Sequence, residues 1–588
     1  MKGAQRTQSR LSRRTCNAHI DSIGGSSIMT ILALTTCLSA VPALSKQAKI
    51  GATTVPTKAE RTACCSTPYT EECVSSLTAH RTSTNINNDQ EASFLIAALR
   101  SSVAAAQDFR GHCKSDFSEI SNSKTCMLST LGMCVQSLES TENYLNSSIS
   151  HLELLPESNS APYMMEDVLT WLSASATYHT TCMDEMSHCS VLEDLNMSLI
   201  HGNQSMVRVA NSISLARTMY QNYASPKSGE IPNRRLLAAP EIAMYDMDGD
   251  YPQWMRVGVR RLLQSSVNET PYDTVVAKDG SGNYSSVQAA VNGAPSKSNA
   301  SYVIRIKQGV YDELVNIPSN AYNVMFIGDG INKTIITGNV SVVQNGVTTF
   351  RTGTVAIDGD GFLAKDVTFQ NTAGAENHQA VATRVDSDKS AFYRCSFEGY
   401  QDTLYIHSLR QFYQSCTVYG TVDFIFGNSA AMFQNCNLVC RKPLQSQANT
   451  VTAQSRTSLD QNTGFSFQDC SVSAAPELAS VVTSIYNQSI KSFLGRPWQE
   501  YSRTVFMKTY MTNVINAAGW VDWNGTNFAL ATLYFAEYQN FGPGGNFTNR
   551  VSWATNITDP EVAAQYSISF ISGAQWLPQT GIPFSSNI

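Results

Sequence analysis

The stretch Phe392–Val439, FYRCSFEGYQDTLYIHSLRQFYQSCTVYGTVDFIFGNSAAMFQNCNLV, contains the same short phrase three times. FYRCSFEGY begins at Phe392, FYQSCTVYG at Phe412 and FQNCNLV at Phe433, and their cysteines are Cys395, Cys416 and Cys436. FQDCSV, with Cys470, reads as a fourth copy after an insertion. A step near twenty residues, filled with strand-forming residues and turns and no helical pattern, predicts an all-β right-handed parallel β-helix, a solenoid. Asp402 follows Cys395, and Asp423 follows Cys416, at the same interval. The two aspartates therefore fall at equivalent places on successive coils, stacked about 4.8 Å apart. Flanked by Tyr405, Phe424 and Phe426, two carboxylates at that distance cannot both ionise comfortably, and one is expected to keep its proton near neutrality. That is the raw material for a nucleophile or base beside a general acid. Glycosidases also use paired carboxylates, so the pair alone does not name a reaction.

Outward from this stretch, strand and turn patterns continue through the region 271–588, in segments such as YVIRIKQGVY, NVMFIGDG and SAFYRCSF. Upstream the period changes. EASFLIAALRSSVAAAQDF, TCMLSTLGMCVQSLESTENYL, MEDVLTWLSASATYHTTCMDEM and SMVRVANSISLARTMYQNY each recur in apolar residues near 3.6, which predicts an all-α four-helix bundle within 49–223. Cys65 and Cys73 are placed for a small terminal loop, and Cys134 and Cys182 for a bridge between the second and third helices; Cys64, Cys113, Cys126 and Cys189 stay unassigned. In the solenoid Cys416–Cys436 is the easiest bridge, with Cys470 a competitor for Cys436 and Cys395 and Cys440 free.

Between the halves, 224–270 lacks periodicity and carries RRLL twice, at Arg234–Leu237 and Arg260–Leu263. The pairs Arg234, Arg235 and Arg260, Arg261 read as protease sites. DMDGD at Asp246–Asp250 fails as a calcium loop, because Val257 stands where the twelfth-position glutamate belongs. At the N-terminus Lys2, Arg6, Arg10, Arg13 and Arg14 precede an apolar run from Met29 to Leu44, so 1–48 reads as a signal peptide or signal anchor. Fifteen cysteines and sequons at Asn146, Asn196, Asn268, Asn332, Asn487, Asn524 and Asn546 agree with export. A net charge of −6 without a basic block offers no footprint for nucleic acid. Gly-x-Ser-x-Gly and His-Glu-x-x-His are both missing, and the second half has only His378 and His407, which argues against a serine triad or a zinc centre.

The second half resembles the plant pectin methylesterases (pectinesterases) through GVYDE at Gly309, HQAVA at His378, QDTLY at Gln401, GTVDFIFG at Gly420 and LGRPW at Leu494. The first half resembles the pectin methylesterase inhibitor domain more loosely, through its four helices and four cysteines. The resemblance implies hydrolysis of methyl esters of homogalacturonan, with release of methanol and acidic pectin, in cell-wall modification. It implies Asp423 as nucleophile, Asp402 as general acid and base, Gln379 and Gln401 as oxyanion donors, and Arg496 as the group that holds Asp423 ionised. Thr349, Gln379, Arg496 and Trp498 fall where the family contacts sugar, and Tyr405 and Phe426 offer further faces for stacking. It further implies no cofactor and no metal, an inhibitor-like pro-region that is autoinhibitory and removed, and a subtilase-like processing protease at RRLL. A monomer, secretion to the cell wall and control by separate inhibitor proteins are expected. The part after Leu263 has 19 basic and 23 acidic residues, so electrostatic retention on polyanionic pectin is not expected. Another β-helix enzyme of pectin (a polygalacturonase or lyase) and a non-catalytic inhibitor or wall-binding protein are the alternatives, since fold does not fix function.

Overall fold

The structure, a computed structural model, describes residues 55–81, 90–120, 125–155, 161–188, 196–224, 272–482 and 490–588. The expected leader, the linker from 225 with both RRLL motifs, Asp246–Asp250, Cys189, Asn268 and Asn487 lie outside the described residues.

Two short helices, α1 (Lys58–Cys64) and α2 (Thr70–Ala79), precede four long ones: α3 (Gln90–Glu119), α4 (Thr125–Glu153), α5 (Ala161–His188) and α6 (Asn196–Ala224). Each long helix packs on two others, α3 on α4 and α6, α5 on α4 and α6, which closes a four-helix ring. Leu95, Leu99, Leu145, Leu152, Leu169, Leu172 and Ile213 fill its centre, the residues that recur at the helical period. Cys134–Cys182 joins α4 to α5 with a Cα separation of 5.0 Å. The terminal loop differs from expectation. Cys73 pairs with Cys64, not Cys65, across a Cα separation of 5.7 Å. Cys64 is buried on the inner side of α1, whereas Cys65 is the exposed residue that caps the helix. Cys65 and Cys126 are disulfide-bonded too, and Cys113 is a buried thiol.

From Tyr272 the chain winds into three parallel sheets of eleven, seven and eight strands. The register is the one the repeat predicts. Phe392 sits on Tyr413, Tyr413 on Phe433, Phe433 on Phe467 and Phe467 on Phe506, so FQDCSV is indeed the fourth copy. Their rings stack with centroids 4.9, 4.3, 4.7 and 4.4 Å apart, each contact worth about 0.5–1.5 kcal/mol beyond its burial. The turn after each of these five strands needs one residue in the left-handed region, filled by Arg394, Ser415, Asn435, Asp469 and Lys508.

The expected Cys416–Cys436 bridge is not made. Both are buried thiols, as are Cys395, Cys440 and Cys470. Equivalent side chains on a parallel ladder run side by side at about 4.8 Å, wider than the roughly 3.8 Å between Cβ atoms that a disulfide needs. Each thiol instead donates to a carbonyl of the coil before: Cys416 to Phe392 O and Cys436 to Tyr413 O, both at 3.4 Å.

Candidate active site

Asp402 and Asp423 each stand two residues before a strand of the seven-stranded sheet, and those strands pair Leu404 with Ile425. The carboxylates are therefore register equivalents on adjacent coils. Both have left-handed backbones, φ 63° and 52°, a conformation that Asp tolerates better than most residues and that recurs at functional sites.

Their surroundings differ. Arg496, on the strand Ser492–Pro497, donates from Nε to Asp423 Oδ1 at 2.9 Å and from Nη2 to Oδ2 at 2.6 Å. Thr450 adds a third donor, its hydroxyl to Oδ1 at 2.6 Å, while the Asp423 N–H donates to the Thr450 oxygen at 2.8 Å. Asp402, 7% exposed, receives no hydrogen bond on its carboxyl from the described residues. Burial pushes its pKa well above the usual carboxylate range, and the charge of Asp423 adds to the rise against a smaller opposing effect of Arg496. The pair is thus asymmetric: Asp423 accepts from Arg496 and Thr450, and burial favours the protonated form of Asp402.

Gln401 precedes Asp402, and its backbone oxygen accepts from Ala380 N at 3.3 Å, which brings Gln379 alongside. The Gln401 amide oxygen is buried without a hydrogen-bond partner among the described residues. Tyr405 stacks on Phe426 at 4.1 Å, Phe426 meets Trp498 at 5.9 Å, and Phe350, next to Thr349, meets Tyr405 edge-on at 6.3 Å. The predicted residues therefore gather on one face. Two that sequence reasoning missed join them: Thr450, and Trp523, over which the Arg496 guanidinium lies at 4.3 Å from the ring centroid.

This face is covered by the helical bundle. Met127, Leu131, Cys134, Cys182 and Met186 belong to one apolar cluster with Phe350, Tyr405 and Phe426. Around it Thr181 on α5 bonds His407 Nε2 at 2.8 Å, Asn428 donates to Thr177 at 2.9 Å and Gln499 to Asp184 at 3.5 Å. Farther out Gln136 donates to Asp358 at 2.8 Å, Tyr144 to Asp360 at 3.1 Å, and Arg410 reaches Asp167 at 2.6 Å. His407 is buried between Thr181 and Asp386, and burial lowers its pKa well below the usual histidine value.

Residues 273–574 match the Pectinesterase family profile. The chain belongs to the pectinesterase family. Residues 59–217 of this pectinesterase match a second profile, Plant invertase/pectin methylesterase inhibitor. It is 46% identical over 441 residues to Pectinesterase 2 of Citrus sinensis, covering 74% of this chain and 79% of the relative. It is 45% identical over 458 residues to Pectinesterase/pectinesterase inhibitor U1 of Solanum lycopersicum, covering 77% and 76%. The structure of pectin methylesterase from carrot superposes with a TM-score of 0.53 at 52% identity, covering 55% of this chain and 99% of the carrot chain.

Proposed function

We propose the following division of labour for hydrolysis of pectin methyl esters, the reaction of the family. Asp423 attacks the ester carbonyl of a methylated galacturonate unit, and the amides of Gln379 and Gln401 donate to the oxyanion that forms. Protonated Asp402 gives its proton to the departing methoxide, releasing methanol and leaving an acyl anhydride on Asp423. Asp402, now ionised, takes a proton from water as it attacks that anhydride, which restores both carboxyls and frees the galacturonate. Arg496 holds Asp423 anionic and aimed. Thr349, Tyr405, Phe426 and Trp498 contact the sugars. One observation carries this reading: three donors on Asp423 and none from the described residues on Asp402.

The helical region acts as an autoinhibitory pro-region. Its Met127, Leu131 and Met186 pack with the aromatic faces that a sugar chain would need. Cleavage at Arg234–Arg235 or Arg260–Arg261 by a subtilase-like protease releases the enzyme, which works as a secreted monomer in the cell wall, open to separate inhibitors of similar build. The reaction as written needs no cofactor.

The test compares methanol release from methylated pectin by the uncleaved chain and by protein cut within the linker. The cut protein is expected to be active, the uncleaved chain nearly inactive, and Asp423→Ala in the cut protein slower by about 10⁴-fold or more. Polymer shortening without methanol would favour a lyase or polygalacturonase. Equal activity before and after cleavage would overturn the autoinhibition.

A further inference from the structure

In the helical bundle, α3 and α6 bring together three side chains that the reaction does not use. Asp108 and His112 stand one turn apart on α3, and His201 faces them from α6. His201 Nδ1 is 2.5 Å from one Asp108 oxygen and His112 Nε2 is 4.0 Å from the other, and the imidazoles stack with centroids 3.9 Å apart. One donor atom from each of the three lies within 4.8 Å of the other two. His201 Nδ1 is buried, yet it makes no aligned hydrogen bond among the described residues; the Asp108 oxygen beside it lies off the direction an N–H would take.

The backbone beneath is pinned. Gly202, next to His201, lets α6 close on α3, since a Cβ there would come 2.9 Å from the ring of fully buried Phe109, the neighbour of Asp108. Ser198 donates to Asp116 one turn along, and Ser102 and Ser212 bond at 3.1 Å toward the other end. The distance between the helices is thus set by packing, and only rotamer changes of about an ångström are needed to draw the donors to the roughly 2.0–2.1 Å that zinc requires.

We propose that Asp108, His112 and His201 form a structural zinc site that clips the first long helix of the pro-region to the last. Two imidazoles and one carboxylate suit a borderline cation such as Zn²⁺, with water completing the tetrahedron, whereas Ca²⁺ and Mg²⁺ call for oxygen ligands throughout. The spacing in sequence hides the set, because His201 comes from a helix far along the chain. The ion adds to pro-region stability by binding the folded bundle alone. It touches neither Asp402 nor Asp423.

The experiment titrates untagged, chelator-treated, uncleaved protein with Zn²⁺ by calorimetry and follows Co²⁺ substitution by visible absorption. One Zn²⁺ per chain, intense Co²⁺ bands of a tetrahedral site and a rise in the melting temperature of the bundle are expected, with no response to Ca²⁺ or Mg²⁺. His112→Ala and His201→Ala should each weaken Zn²⁺ binding tenfold or more while leaving metal-free melting in place. If His201→Ala fails to fold, the more exposed His112→Asn decides. Absence of binding, or binding that both histidine variants leave unchanged, overturns the site and leaves a plain His–Asp contact.

Discussion

The bundle and the solenoid use the same residue in opposite ways. In the bundle, cysteines cross-link elements that packing brings together, as Cys134 does for α4 and α5. In the solenoid, Cys395, Cys416, Cys436 and Cys470 follow one another from coil to coil, fully or almost fully buried, and remain thiols. A helix pair presents two side chains head-on, whereas a parallel ladder presents them shoulder to shoulder. The solenoid's stability lies in its sheets and its stack of aromatic rings, where each coil repeats the support of the last. The bundle has no such repetition and gains more from a covalent constraint on the unfolded chain.

The largest expected effect tests this contrast directly. Replacing Cys134 and Cys182 together by Ser should destabilise the bundle by about 2–5 kcal/mol. Replacing Cys416 and Cys436 together by Ala should cost about 1–2 kcal/mol through lost packing alone. Denaturant melts followed by hydrogen exchange would assign each loss to its half. Alkylation without reduction should label all five solenoid cysteines after unfolding; a shortfall of two would reveal a bridge and break the comparison.

A second experiment asks whether a coil-to-coil contact can serve function without serving stability. Thr450 donates to the Asp423 carboxylate and accepts from its backbone, so it sets where the carboxylate points. A hydrogen bond to a charged group contributes about 1.5–3 kcal/mol, which predicts a kcat for cut Thr450→Val about 10- to 100-fold below wild type. Thr450→Ser should restore most of it, with KM little changed in either variant. Loss of melting temperature on the scale of the cystine variant, with KM and kcat falling together, would make Thr450 a structural residue.

The same contrast explains what could be read in advance. Asp402 and Asp423 were legible because Cys395 and Cys416 mark their coils, and register turns equal spacing into adjacency. Thr450 was not, because the coil that carries it is lengthened by the loop around Arg441–Gln447, which breaks the count. Trp523 lies in a turn-rich segment with no repeat to place it. Arg496 was reached only through the resemblance of LGRPW. In the bundle, helical period predicted the buried faces but not which of Cys64 and Cys65 turns inward, a matter of one residue's rotation. The seam with the solenoid was equally hidden, since Thr177, Thr181 and Tyr178, which meets Ser408 and the ring of His407, look like any mixed helical face.

That seam offers the smallest effect and the one that joins the two regions. Asp360 of the solenoid is half-buried and accepts a hydrogen bond from Tyr144 of the bundle. Burial raises its pKa to about 7, the Asp388 charge adds to the rise, and the Tyr144 hydrogen bond only partly opposes it. Asp388 goes the other way, since Arg410 and Lys389 favour its anion over the cost of burial, so the proton belongs to Asp360. Where the bundle leaves, Asp360 meets water and returns toward the ordinary carboxylate value. Its pKa is therefore higher in the docked state. Docking retains this contribution below the ordinary value and loses it as pH rises toward about 7. The linkage for one proton is at most about 1.4 kcal/mol per pH unit, or tenfold in affinity. Cut protein, measured for pro-region release by size exclusion between about pH 4 and pH 7, should hold its bundle more weakly at each step upward. Asp360→Asn, which removes the titration and keeps the shape, should flatten that slope. A slope unchanged in this variant would move the pH response to another group on the seam, with buried His407, bonded to Thr181, the next to substitute.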